Sequence, residues 1–247
     1  MRQYGLIGHP LGHSFSKGYF NERFEREGWD CHYENYDLER LSLIDQLLKE
    51  HPDLKGFNVT APYKEAILPY LIGYEESVSE IKAVNTVKVL EAGMMLGFNT
   101  DVIGFETLLK ASGFEGGSAL ILGTGGASKA VQFVLHKNNI DYHLVSRDYL
   151  KGSFTYQSLT PEVIATHLLV INATPLGTYP KVDEAPSIPF EALTPAHTMI
   201  DLVYNPAETK YLRHGKRQGA QTLNGLTMLH AQAEASWEIW NDSPTRG

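Results

Sequence analysis

A chain of 247 residues has room for one large domain or two ordinary ones, and 43% hydrophobic with 20% charged residues describes a soluble globular protein with a core. A net charge of −8 without a basic cluster lacks the electrostatic footprint of a nucleic-acid binder. One cysteine, Cys31, excludes an internal disulfide and suits a reducing compartment, and no apolar run approaches the ~20 residues needed to span a bilayer.

The opening stretch Met1–Gly8 is too briefly apolar for a signal peptide, so a cytoplasmic protein with no membrane partner is expected. Residues 4–8 predict a strand, 17–26 a helix with Phe20 and Phe24 one turn apart, and 32–36 a second strand. Leu41, Ile44, Leu47 and Leu48 mark an amphipathic helix that stops before Pro52. Residues 54–60 predict a third strand, followed by a helix opening near Pro62. Residues 84–90 and 94–98 flank Glu91-Ala92-Gly93, a hairpin signal. A helix from Thr100 to Leu109 then leads into the second block.

That block predicts strands at 118–122, 142–145, 168–172 and 198–202, with a helix at 126–138. Between 148 and 167 only residues 161–166 supply a turn or two of helix, whereas parallel neighbours normally need a crossover of a dozen residues. A trimmed nucleotide-binding domain is expected. The last helix carries Leu226, Leu229, Ala233, Trp237 and Trp240 on one stripe, with the tryptophans in the core, and the polar tail 241–247 should fray. The expected architecture is α/β in two domains with a cleft between them and ligands at the carboxyl ends of the strands.

The motif Gly123-Thr124-Gly125-Gly126-Ala127-Ser128 sits between a predicted strand and a predicted helix, the context that makes a glycine motif informative. Gly123 permits a tight turn, Gly125 admits a pyrophosphate to the backbone, and the helix offers free N–H groups and the positive end of its dipole. The next strand ends in Ser146-Arg147; an arginine there accommodates the 2′-phosphate of NADP, where NAD sites usually place an acid. Lys151 adds a second cation, and Asp148 is expected to turn outward onto Arg147.

Four polar groups end elements of the first block. Ser14 and Ser16 read equally as helix caps or as hydroxyls for a carboxylate. Asn58, Thr60 and Lys64 bring an amide, a hydroxyl and a cation to one loop and helix start, where Lys64 opposes the dipole preference. Asn85 and Asp101 follow, the latter also a natural helix cap. His9 and His13, with Pro10 and Gly12 between them, need not share a face, and no metal-ligand spacing occurs, so no metal is expected.

These residues fall into ordered motifs: Gly8-x-Pro-x-x-His-Ser-x-Ser16, Asn58-Val-Thr-x-Pro-x-Lys64, Ala83-Val-Asn-Thr-Val87, Asn99-Thr-Asp101, Gly123-x-Gly-Gly-Ala127, Ile171-Asn-Ala-Thr-Pro-Leu-Gly177, Asp201-Leu-Val-Tyr-Asn-Pro206 and Asn224-Gly-Leu-x-Met-Leu-x-x-Gln232. Over nearly its whole length the chain resembles the shikimate dehydrogenase family, which reduces 3-dehydroshikimate to shikimate with NADPH in chorismate and aromatic amino acid biosynthesis. The resemblance implies a mostly parallel α/β substrate domain of residues 1–100 and 224–247, and a Rossmann-type NADP domain of residues 101–223. The last helix returns to the first domain.

It further implies that Ser14, Ser16 and Tyr204 face the substrate carboxylate, and that Asn58, Thr60, Asn85, Asp101 and Gln232 bind ring hydroxyls and the reacting oxygen. Lys64 and Asp101 correspond to the catalytic pair. Gly123, Gly125, Gly126 and Ala127 would hold the pyrophosphate; Ser146, Arg147 and Lys151 the adenosine end; Asn172, Ala173, Thr174, Leu176 and Gly225 the nicotinamide end. A broader quinate/shikimate enzyme and a non-catalytic NADP-binding regulator share the scaffold, and a homodimer is left open. Lys17 stands where the family often has proline, and Ser146-Arg147-Asp148 replaces its Asn-Arg-Thr.

Overall fold

A computed structural model describes residues 1–12 and 14–242; His13 and residues 243–247 lie outside the described residues, and with them the relation of His9 to His13 and the fraying expected from 243 onward, whereas Asn241, also expected to fray, still closes the last helix. The chain divides into two compact units, Met1–Thr100 with the chain from Ala233 onward, and Asp101–Gln232.

The first unit runs β1 (Arg2–Gly8), α1 (Phe15–Glu27), β2 (Cys31–Asp37), α2 (Ile44–Glu50), β3 (Leu54–Val59), α3 (Tyr63–Ala66), β4 (Gly73–Tyr74), α4 (Glu76–Ile81), β5 (Thr86–Val89) and β6 (Met95–Phe98). Its sheet has the order β2-β1-β3-β5-β6-β4, parallel across β1, β2 and β3 and antiparallel at β5. Alternation along β1 sends Tyr4 and Ile7 to opposite faces, each into its own core. Ile7 joins Ile44, Phe57, Val78 and Val87. Tyr4 joins Phe20, Phe24, Tyr33, Trp237 and Trp240, so the tryptophans are core, with the Trp240 indole N–H donating to the Val87 carbonyl at 3.0 Å. The β5–β6 connection is the expected hairpin, turned by Ala92 and Gly93 in the left-handed region at φ 55° and 72°.

The second unit runs α5 (Asp101–Ser112), β7 (Ala119–Leu122), α6 (Gly126–Lys137), β8 (Tyr142–Ser146), β9 (Phe154–Thr155), α7 (Pro161–Thr166), β10 (Leu169–Asn172), β11 (Thr198–Asp201), α8 (Lys210–Arg217) and β12 (Gln221–Leu223). α9 (Leu226–Asn241) begins here and supplies the first unit from Ala233 onward. All pairings are parallel, in the order β12-β11-β10-β7-β8-β9. Counted from β9 this is the doubly wound order 3-2-1-4-5-6, with β7 beside β10 at the point where the winding reverses. Every residue of β7 and β10 is buried, as parallel strands covered on both faces require.

The trimmed crossover is present as α7, with Pro161 at its start and Thr160 accepting the Val163 N–H. The expected apolar stripe of α9 departs at its start. Leu226 is exposed, and Met228 takes the buried place.

Candidate active site and cofactor cavity

At the switch point of the second sheet lies a cavity of about 770 Å³, lined by loops from the carboxyl ends of β7, β8 and β10. Gly123 turns at φ +107°, and a Cβ there would lie 2.9 Å from Thr174 Cγ2 and 3.2 Å from the Ala173 carbonyl. Gly125 caps α6 with no side-chain bond to its N–H groups, and a Cβ on Gly125 would meet nothing within 4 Å. That space lies at unspent backbone donors and a helix N-terminus, as an anionic diphosphate needs. Thr124 completes this wall, and Ala173, Thr174, Pro175 and Leu176 form the facing one.

Arg147 and Lys151 stand in the same cavity, so a diphosphate cradle and two cations share one lining, which fits an NADP-type ligand. Asp148 departs from expectation. It too lines the cavity, and it makes no bond to Arg147. Its carboxylate accepts the Leu150 N–H at 3.0 Å, its other oxygen lies 4.0 Å from Lys151 Nζ, and its own N–H donates to Ser146 Oγ at 3.1 Å. A backbone donor two residues ahead is geometrically tethered, whereas an exposed arginine must give up rotamer freedom to reach back. Tyr156, in a stretch without motif signal, closes this end; burial pushes its phenol pKa up, against the opposing pull of the Arg147 charge.

Gly126, Ala127, Asn172 and Gly225 were expected at the cofactor but do not line the cavity. Asn172 is wholly buried: its Nδ2 donates to Asp201 Oδ1 at 2.9 Å, while its Oδ1 accepts from Thr174 N at 3.0 Å and Thr174 Oγ1 at 2.6 Å. It holds Thr174 from behind. Gly225 is demanded by packing, since a Cβ would lie 2.2 Å from the Leu202 carbonyl oxygen.

In the first unit Ser14 is the N-cap of α1, accepting the Lys17 N–H at 3.4 Å, and Ser16 lies in the first turn. Both readings of the serines therefore remain in force, the cap being realised for Ser14. Lys64 requires a correction: α3 is a single turn, so there is no macrodipole for Lys64 to oppose. The turn is fixed by other means, with Tyr63 Oη donating to the Leu38 carbonyl at 2.5 Å and Val84 N–H to the Lys64 carbonyl at 2.8 Å. Thr60 is half-buried at the end of β3.

Asn58 was expected at a ring hydroxyl, but its amide is engaged within the protein. Tyr33 Oη donates to its Oδ1 at 2.9 Å, and its Nδ2 donates to Thr86 Oγ1 at 3.1 Å and Ser236 Oγ at 3.0 Å. The network continues through Ser236 Oγ, 3.2 Å from Thr100 Oγ1, to Asn85, whose Oδ1 accepts the Thr100 N–H at 2.7 Å. Tyr33 and Ser236, silent in the sequence, together with Thr86 of the Ala83–Val87 motif, thus fix Thr100, the residue before Asp101. Asp101 is buried and is the first residue of α5, one position inside the expected cap. Tyr204 is half-buried, with its phenol pKa raised by burial, and Gln232 Nε2 donates to the Leu229 carbonyl at 2.9 Å. Among the described residues no helix is long and apolar enough to cross a membrane.

Residues 6–87 match the family model of the shikimate dehydrogenase substrate binding domain. The shikimate dehydrogenase (NADP(+)) of Methanosphaera stadtmanae is 35% identical over 96% of this chain and 90% of its own. The shikimate 5-dehydrogenase of Thermus thermophilus, solved with NADP(H) and shikimate, superposes with a TM-score of 0.86 at 32% identity, over 98% of this chain and 94% of that one. That of Listeria monocytogenes, solved with shikimate and NAD, gives 0.80 at 28% identity over 98% and 93%. With a glycine turn at a doubly wound switch point, a cation pair in its cavity and this relationship along almost its whole length, the chain belongs to the shikimate dehydrogenase family.

Proposed function

We propose that the chain is an NADP-dependent shikimate dehydrogenase that interconverts 3-dehydroshikimate and shikimate in the cytoplasm. The observation that carries this reading is the 35% identity over 96% of the chain to an enzyme of that activity. Residues 1–100 with 224–247 form the substrate domain and 101–223 the NADP domain. NADPH, when bound, supplies the hydride.

The protein's own part is proton transfer and charge. Lys64 stabilises the oxyanion that develops at the ketone and gives it a proton, and Asp101 is its acid–base partner. Ser14, Ser16 and Tyr204 take the substrate carboxylate. Thr60, Asn85, Asp101 and Gln232 take the ring hydroxyls, with Asn58 supporting them from the buried network. Arg147 and Lys151 bind the adenosine end, and the Gly123–Ala127 turn the diphosphate. A single assay tests the reading: shikimate and NADP mixed with the purified chain, followed by the absorbance of the reduced nicotinamide, with quinate in parallel. Turnover of shikimate well above quinate is expected; absence of turnover with shikimate would overturn it.

A further inference from the structure

We propose that Asp148 gives the adenosine end of the cavity a second specificity, so that the chain uses NAD(H) as well as NADP(H). The inference rests on the reading above that the cavity takes a nicotinamide dinucleotide. One loop lines that cavity with Arg147, Asp148 and Lys151. In doubly wound sheets an arginine at this strand end accommodates a 2′-phosphate, and a carboxylate accepts the free 2′-hydroxyl of NAD. This loop carries one of each.

The carboxylate is available for the task. Among the described residues only the Leu150 N–H, at 3.0 Å, is bonded to it, and Lys151 Nζ at 4.0 Å stands beyond hydrogen-bond distance. An ionised carboxylate accepts about four hydrogen bonds, so capacity remains for ribose hydroxyls. Its place is held as well, because Asp148 N–H donates to the Oγ of Ser146, a side chain buried at the end of β8. For a 2′-phosphate the same carboxylate is a liability. It stands among the groups that would receive the phosphate and offsets part of the charge of Lys151. The two cofactors are thereby drawn together in affinity, NADP losing and NAD gaining from one side chain.

The test is calorimetric binding of NADP+ and of NAD+ to the whole protein, wild type and Asp148→Asn. Asparagine keeps an oxygen for the Leu150 N–H and removes the charge. A carboxylate acting across a partly solvated loop changes affinity by about tenfold, and a hydrogen bond to a charged acceptor by about tenfold or more. Asp148→Asn is therefore expected to tighten NADP+, weaken NAD+, and shift the ratio of the two constants by at least about tenfold. Asp148→Thr should move it the same way, and shikimate turnover with each cofactor should follow. A ratio unchanged within twofold in both variants, or a wild type that binds NADP+ but not NAD+, overturns the inference. Binding of both cofactors without turnover of shikimate overturns the function proposed above and leaves this one standing.

Discussion

Asn172 and Asp201 meet at 2.9 Å at the carboxyl ends of the adjacent strands β10 and β11, both without solvent exposure. Burial raises the Asp201 pKa to about 6, although Thr209 Oγ1 at 2.5 Å, Val203 N–H at 3.0 Å and Asn172 all donate to it. Since the folded value lies above the unfolded one, the native state holds the proton more tightly. The stabilisation is therefore full below the unfolded value, near 4, and is lost as pH rises through about 6. A shift of this size corresponds to an upper bound of about 3 kcal/mol. Denaturant melts from pH 4 to 7 should show wild type losing stability relative to Asp201→Asn across that window. Parallel pH profiles would count against the burial of a titrating carboxylate there.

Gly123 and Gly125 stand two residues apart and should fail differently. Alanine at Gly125 meets nothing in the protein, so its melting curve should match wild type while NADP+ binding weakens severely. Alanine at Gly123 is strained at φ +107° and crowds Thr174, so it should lose about 1–3 kcal/mol of stability as well. If Gly125→Ala binds NADP+ normally, the open space beside Gly125 is not where a diphosphate lies.

Where an apolar run or a glycine signal was strong, the sequence made the structure legible: all four long strands of the second sheet and the turn between β7 and α6 lie where the residues place them. Two-residue strands such as β4 and β9 offer no alternation to read. In α8, the polar octet KYLRHGKR buries only Tyr211, Leu212 and Gly215, too few for a helical stripe. At the site, residue types were readable but engagement was not. The saturation of Asn58 depends on Tyr33 and Ser236, 25 and 178 positions away. The bond of Asp148 to Leu150 depends on a local turn winning over a charged neighbour. The opposed-dipole argument for Lys64 needed a helix longer than the four residues of α3.

Lys64 and Ser14 should separate kinetically. A group that acts in the transition state lowers kcat when removed, whereas one that binds substrate throughout raises KM. Lys64→Ala is expected to lose ~10²–10⁴-fold in kcat, and Ser14→Ala chiefly to raise KM. Ser14 also caps α1, so its variant needs a melting curve, with a loss of ~0.5–2 kcal/mol expected from the cap alone. A Lys64→Ala enzyme with near-normal kcat would remove Lys64 from the chemistry.

Arg147 lines the cofactor cavity without an ion pair to its neighbour Asp148, whose carboxylate goes to Leu150 and faces Lys151. Its guanidinium is thus not neutralised by that carboxylate, and its planar fork of donors matches a phosphate and stacks on an adenine face. Removing it deprives a 2′-phosphate of charge-assisted bonds worth about 1.5–3 kcal/mol. NAD, which lacks that phosphate, loses only the stacking surface. Arg147→Ala should therefore weaken NADP binding by roughly ten- to a hundredfold and change NAD binding far less. Because Asp148 does not depend on Arg147 for its position, the variant should retain the carboxylate in place, and its preference should move toward NAD. Dissociation constants for the two cofactors, measured side by side with turnover, read this out. An equal loss for both would mean that Arg147 serves the adenine or the loop rather than the 2′-phosphate.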